Sequence, residues 1–257
     1  MKKKLPSSKE EAVELLKARV EAGECLTLEE LALVLWHLGT IDVTPRHDLV
    51  AHRLYTGLPD CPAYFDPRQL EEELAVLLGQ DLGLAYLRNA CLETVVITGV
   101  PEGGVALAQG VFKAWPPAMA KLVPMSEKED GTGFCFDASA SFGGGTVLIV
   151  DNAASTGTTV KQATLAVKER EGKVRDILVL VDRQEGAQEL LQQLPEPPRL
   201  IAAINMSTVV EVLARHELIA AEIPAALAAY RGAVLEAIRI ASGGLACNCE
   251  VCQESQD

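Results

Sequence analysis

Three things are scarce in this chain of 257 residues, and each scarcity excludes a class of protein. Long apolar runs come first. None approaches the roughly 18 residues a membrane-crossing helix needs, so no membrane partner is expected. An apolar stretch after the first basic residues is missing too: MKKK runs into LPSSKEEAVELL, which argues against a secretory signal. Without such a signal the seven cysteines read as reduced thiols, and a cytoplasmic location is the expectation. Positive charge is the third. The chain has 23 Lys and Arg against 36 Asp and Glu, a formal charge of −13, so it is not expected to bind nucleic acid. An anionic small ligand stays open, because a few cations and local dipoles decide that.

What is present is a chain that is 49% hydrophobic, enough for one core with extensions. Ser8-Lys-Glu-Glu11 predicts a helix opened by a capping box and closed at Gly23. Thr27-Leu-Glu-Glu30 predicts a second, with Leu28, Leu31, Leu35 and Leu38 as its apolar stripe and Gly39 after it. This acidic pair suits helical packing or dimer support better than DNA. Residues 40–66 read as irregular, broken by Pro45, Gly57, Pro59 and Pro62, and a helix is expected over Pro67 to Leu78.

Strands and helices then alternate. Val95–Ile97, Met119–Val123, Phe134–Asp137, Val147–Val150, Ile177–Asp182 and Leu200–Ile204 read as strands. Helices are expected over Val105–Ala114, from Val160 to the stop at Gly172, and over Glu185–Gln193, Ser207–His216 and Pro224–Ile240. The alternation predicts an α/β fold with a parallel sheet covered on both faces, and ligands at the carboxyl ends of its strands.

Thr146 to Val160, TVLIVDNAASTGTTV, is the stretch with most chemistry. A short apolar strand ends at Asp151 and Asn152, and a turn of small and hydroxyl residues leads into an amphipathic helix. Strand, turn and helix N-terminus in this order can cradle a phosphate with backbone N–H groups. Asp151 is placed to hold a ribose hydroxyl or a metal-linked water. About 50 residues earlier a second glycine-rich turn, Gly99-Val-Pro-Glu-Gly-Gly104, also joins a strand to a helix.

Taken together these motifs resemble the type I phosphoribosyltransferases, and within them the orotate phosphoribosyltransferases. VLIVDNAASTGTT resembles the family's ribose-phosphate motif, with Asn152 in place of the second acid. VVITGVPEGGVALA is similar to its pyrophosphate loop, LVDRQEGAQELL to its orotate-specific turn, and INMSTVVEVLARHELI to its closing helix. AHRLYTGLPDCPAYFDPRQL resembles the N-terminal hood, in which a strand, a turn and two aromatics close over the base.

The resemblance implies a parallel-sheet type I phosphoribosyltransferase fold with a hood and a helical extension. Residues 1–45 would be the extension, and residues 46–240 the transferase domain, with its hood at about 46–92 and its core at about 93–220. Closing helices would run to 240, and 241–257 form a cysteine-containing tail. Implied too are the substrates phosphoribosyl pyrophosphate and orotate, Mg2+ on the former, and a homodimer.

Implied roles have plainer competitors. Ser155, Thr156, Gly157, Thr158 and Thr159 would hold the 5-phosphate, or simply cap a helix. Asp151 and Asn152 would meet the ribose, or only end a strand. Pro101, Glu102, Gly103 and Gly104 would wrap pyrophosphate, or start a helix. Arg183 would pair with the base carboxylate beside Ser155, Tyr64 and Phe65. A salt bridge to Asp182 or Glu185, and core positions for the two aromatics, are the alternatives.

The family's cation-rich catalytic loop is depleted. Pro124-Met-Ser-Glu-Lys-Glu-Asp130 precedes Gly131, and only Lys128 keeps a loop cation, making it, with Asp151, the catalytic candidate. Tyr55 stands where the hood has a cation, with Arg53 expected on the same strand face. Lys113, Lys121 or Arg46 are conceivable substitutes. A regulatory protein that binds phosphoribosyl pyrophosphate or a nucleotide, or a transferase for another base, is therefore the rival. Finally, Cys247, Cys249 and Cys252 form a C-x-C-x-x-C cluster that could hold Zn2+, with Cys61 or His216 as a further ligand, or remain reduced thiols.

Overall fold

A computed structural model describes residues 5–89, 95–142 and 145–241. In chain order the helices are α1 (Lys9–Glu21), α2 (Leu28–His37), α3 (Val50–Leu54), α4 (Glu72–Leu87), α5 (Val105–Ala114), α6 (Thr158–Lys168), α7 (Ala187–Leu191), α8 (Met206–Arg215) and α9 (Ile223–Ala241). The strands are β1 (Ile41–Asp42), β2 (Tyr64–Phe65), β3 (Val95–Gly99), β4 (Ala120–Leu122), β5 (Ser126–Glu127), β6 (Phe134–Cys135), β7 (Thr146–Ala154), β8 (Lys173–Asp182) and β9 (Arg199–Asn205). No helix among the described residues is long and apolar enough to cross a membrane.

Five strands make one parallel sheet in the order β4-β3-β7-β8-β9. The chain first steps outward from β3 to β4, then returns to the other side of β3 to lay down β7. That reversal opens a crevice between the carboxyl ends of β3 and β7, where sheets of this kind bind ligands. The apolar run that predicts β7 divides between the two faces with the strand period of two. Leu148 and Val150 join the core under α4, α5 and α8, while Val147 and Ile149 join the one under α6 and α7.

The N-terminal helices share the first of these cores: Leu16, Leu31 and Leu35 are buried with Leu78, Leu107 and Val209. Thr27 closes a full capping box with Glu30, whereas Ser8 makes only half of one, because Glu11 turns back to Ser7. Helices α4 and α5 cross at backbone distance. A Cβ on Gly79 would lie 2.2 Å from the Leu107 carbonyl oxygen, and one on Gly110 would lie 2.1 Å from that of Val76. At the far end of the sheet, buried Asp176 accepts bonds from Tyr86 (2.5 Å), Arg175 (3.0 Å) and Arg199 (2.7 and 3.0 Å), tying β8 and β9 to α4.

Several expectations are corrected. Residues 50–54 form helix α3, not the hood strand, so Arg53 and Tyr55 share no strand face. Residues 40–66 are also less irregular than expected, because β1 pairs with β2 and Arg46 bridges Cys61. The helix placed over Pro67 to Leu78 is a 3-10 turn, Pro67–Gln69, capped by Asp66, followed by α4 to Leu87. The strand expected to stop at Asp151 runs on to Ala154, because β8 extends alongside it and pairs Asp151 with Val179 and Ala154 with Asp182.

Candidate functional site

The first glycine turn meets the carboxyl end of β7. After β3 the chain is pinned to β7 by the Val100 N–H donating to the Val150 carbonyl at 2.9 Å, and it curls tightly, with the Gly104 N–H donating to the Val100 carbonyl at 2.8 Å. Glu102 takes a left-handed φ of 64°. Gly104 has no room for a side chain, since a Cβ would lie 2.1 Å from the Val150 carbonyl oxygen. One on Gly103 would lie 2.0 Å from Nδ2 of Asn152 and 3.2 Å from Oδ1 of Asp151. The first turn therefore sits directly against the Asp-Asn pair at the end of β7.

Around that contact lies a cleft of about 570 Å³. Of the candidate residues, Pro101, Glu102, Gly103, Asp151, Asn152 and Thr159 line it, together with Pro67, Arg68, Leu70 and Glu72 at and before the start of α4. Ser155, Thr156, Gly157 and Thr158 form the neighbouring corner. Gly157 is the N-cap residue of α6 at φ 84°, and the helix carries no side-chain cap. Thr156 and Thr158 hydroxyls lie 3.3 Å apart, bonded to each other and not to the helix end. The competing role of these hydroxyls as helix caps is thus not the one they fill.

Asp151 is only 5% exposed, and its bond from the Asn152 N–H (2.7 Å) is a single compensating contact. Burial pushes its carboxyl up to about 7, far above the ordinary carboxylate range. A carboxylate so placed gains from any hydroxyl donor or cation that enters the cleft.

One strand over, about 5 Å away by ordinary strand spacing, β8 delivers Arg183 to the same end of the sheet. Its N–H donates to the Ala154 carbonyl at 2.8 Å. The guanidinium is buried, donates to Glu185 at 2.6 Å, and lies 4.6 Å from the centre of the Tyr64 ring. Arg46 approaches the same ring at 5.0 Å. Arg183 therefore makes the salt bridge to Glu185, but inside the protein and not on its surface. Burial pushes the Glu185 carboxyl up, with the Arg183 charge opposing it. Phe65 is 1% exposed and belongs to the core, paired with Ile41. Tyr230, from α9, is buried beside Glu185 and Cys61, and Arg231 reaches the Gln184 carbonyl at 3.5 Å.

Lys128 stands apart. Strands β5 and β6 form a hairpin around it, anchored by buried Met125, Phe134 and Phe136. Its ammonium lies 3.7 Å from Glu169, beyond the C-terminus of α6, while the phosphate-type turn lies at the N-terminus of that helix. Cys247, Cys249 and Cys252 fall outside the described residues. Among the described residues, no group of three or more His, Cys, Asp or Glu side chains could hold a metal ion.

Sequence reasoning missed Arg68, Glu72 and Tyr230, and named Glu185 only as a surface partner of Arg183. For the first two a signal existed: Asp66-Pro-Arg68 follows the aromatic pair and opens a helix. Nothing local marks Tyr230.

Comparisons with known proteins bear on the family and the fold. Residues 82–193 match the family model described as the phosphoribosyl transferase domain. The chain is 30% identical to the orotate phosphoribosyltransferase of Sulfolobus acidocaldarius over 178 residues, covering 67% of this chain and 84% of that protein. With the orotate phosphoribosyltransferase of Saccharolobus solfataricus it is 35% identical over 99 residues, 38% of this chain and about half (49%) of that one. The crystal structure of orotate phosphoribosyltransferase from Aeropyrum pernix superposes with a TM-score of 0.54 at 25% identity, covering 72% of this chain and 99% of that one.

Proposed function

The chain belongs to the type I phosphoribosyltransferases, on their orotate side, and from that premise we propose that it makes orotidine 5′-phosphate. In the proposed reaction the C1–O bond of phosphoribosyl pyrophosphate breaks, pyrophosphate leaves with the bonding pair, and a ring nitrogen of orotate bonds to C1 with inversion, its N–H proton passing to the departing pyrophosphate or to water. The observation that carries the reading is the contact of the first glycine turn with β7, Gly103 against Asp151 and Asn152, at the sheet's point of reversal.

On this reading the 5-phosphate takes the backbone donors of Ser155 to Thr159 at the uncapped start of α6. Ribose hydroxyls donate to Asp151 and Asn152, and the diphosphate lies along Pro101 to Gly104. Arg183, oriented by Glu185, receives the carboxylate of the base. Positive charge develops on the sugar carbon as the leaving group departs, so an ionised Asp151 nearby favours the transition state over the ground state. The buried carboxyl gives up its proton more readily once hydroxyl donors surround it. Mg2+ would come with the diphosphate and neutralise its charge when bound, and the Asp151 carboxylate lining the cleft is a hard oxygen donor that could share it.

Lys128 turned toward Glu169 favours a second reading, a protein that binds phosphoribosyl pyrophosphate with little turnover. One experiment separates them: purified protein with orotate, phosphoribosyl pyrophosphate and Mg2+, following orotate absorbance, beside calorimetric titration of phosphoribosyl pyrophosphate. Loss of absorbance supports the transferase. Binding without turnover supports the sensor, and no binding overturns both.

A further inference from the structure

We propose that Arg68 binds the diphosphate end of phosphoribosyl pyrophosphate, filling the part left vacant by the depleted loop; this rests on the function proposed above. A diphosphate concentrates several negative charges, and the cleft that would receive it is itself acidic. Its lining carries Glu72, Glu102 and Asp151, with Arg68 as the single cation among the described lining residues. Lys128 does not compensate. It is engaged with Glu169 past the far end of α6, an 11-residue helix about 16 Å long.

Arg68 is held in place. Its Nε donates to Oδ1 of Asp66 at 2.8 Å and its Nη2 to Oδ2 at 2.9 Å, a two-pronged grip on a carboxylate that is itself 7% exposed. Asp66 also accepts the Arg68 N–H at 3.1 Å, and Pro67 stiffens the 3-10 turn between them. The side chain remains 71% exposed on the cleft's rim. A guanidinium has five N–H donors, so the grip on Asp66 leaves about three in a fixed plane. A planar fork of this kind matches phosphate oxygens and costs little side-chain entropy to use. Arg68 and the Pro101 to Gly103 turn line the same cleft, so a diphosphate lying along that turn shares the cleft with the guanidinium.

The test titrates the full-length protein with phosphoribosyl pyrophosphate and, separately, with ribose 5-phosphate, in Mg2+, using wild type, Arg68→Ala and Arg68→Lys. Arg68→Ala is expected to weaken phosphoribosyl pyrophosphate about 10- to 100-fold, as for loss of charged hydrogen bonds. Ribose 5-phosphate, which lacks the diphosphate, should bind all three proteins alike, and Arg68→Lys should recover part of the loss. In kinetics, the KM for orotate should not move. Equal phosphoribosyl pyrophosphate affinity for wild type and Arg68→Ala overturns this proposal and leaves the function standing. So does equal weakening of both ligands, which marks a structural role. A wild type that binds neither ligand overturns the function and this proposal together.

Discussion

Replacing Asp151 by asparagine keeps the shape of the side chain and the acceptor for the Asn152 N–H, but removes the charge. The consequence follows from burial. In the folded chain the carboxyl stands at about 7, against 3.8 for the ordinary group. A gap of about three units corresponds to about 4 kcal/mol between the two protonation states. Its sign is set by which state holds the proton. Between pH 4 and 7 the folded protein keeps a proton that the unfolded chain has lost. Stability from this group is therefore full below about pH 4 and drains away as pH rises through 7. The wild type should lose about 1.4 kcal/mol per pH unit across that window on account of Asp151, and Asp151→Asn should not.

Urea unfolding at half-unit intervals from pH 4.5 to 8 measures the difference. The amide's buried N–H donors take back about 1–3 kcal/mol. The expected net gain for Asp151→Asn at pH 8 is then about 2 kcal/mol, with phosphoribosyl transfer abolished. The difference in slope is the firmer test, since the amide's cost does not vary with pH. Wild-type and variant curves that run parallel across pH 4.5–7 would refute the argument. A variant both more stable and inactive is the pattern of a charge retained for function at a cost to the fold.

Three further outcomes follow from the geometry. Glu185→Ala strands the buried Arg183 guanidinium and should cost about 3–5 kcal/mol in urea unfolding. Arg183→Met with Glu185→Leu should recover most of that loss, and strictly additive effects in the double-mutant cycle would count against a coupled pair. Gly104→Ala sets a methyl 2.1 Å from the Val150 carbonyl, backbone that cannot yield cheaply, so a loss of about 1–3 kcal/mol is expected by thermal unfolding. Gly103→Ala meets side chains, Asn152 first and Asp151 next, and not backbone; it should leave the melting temperature within a few degrees while weakening phosphoribosyl pyrophosphate in calorimetry, and intact affinity would remove Asn152 from the site.

Local pattern carried the strands and turns because their causes are local. The period of two in Val147 to Val150 and the stop of α5 at Ala114 are properties of a few neighbouring residues. Where an element's extent depends on a partner, the same reasoning fell short: β7 passes Asp151 because β8, some 25 residues on, supplies a ladder as far as Asp182. Residues 50–54 took the helix because His52 and Leu54 lie in no ladder that would hold them extended.

Charge was harder to read than fold, and for a physical reason. A cation's use depends on which anion it meets, and that is decided by packing between distant segments. Lys128 looked like the surviving loop cation, yet Glu169, 41 positions away, holds it. Arg68 looked unremarkable, yet the fold sets it in the lining of the same cleft as Pro101. Arg183 was legible as a residue but not as half of a buried pair, since Glu185 needed the cover of α9 through Tyr230 to be enclosed. The two glycine turns, by contrast, were legible to the residue, because close backbone approach leaves glycine no substitute. Motifs written in backbone geometry are therefore the part of such a site that a sequence displays. Under the function proposed above, whether it then reacts rests on side chains whose partners lie far along the chain, Arg68 and Asp151 before the loop.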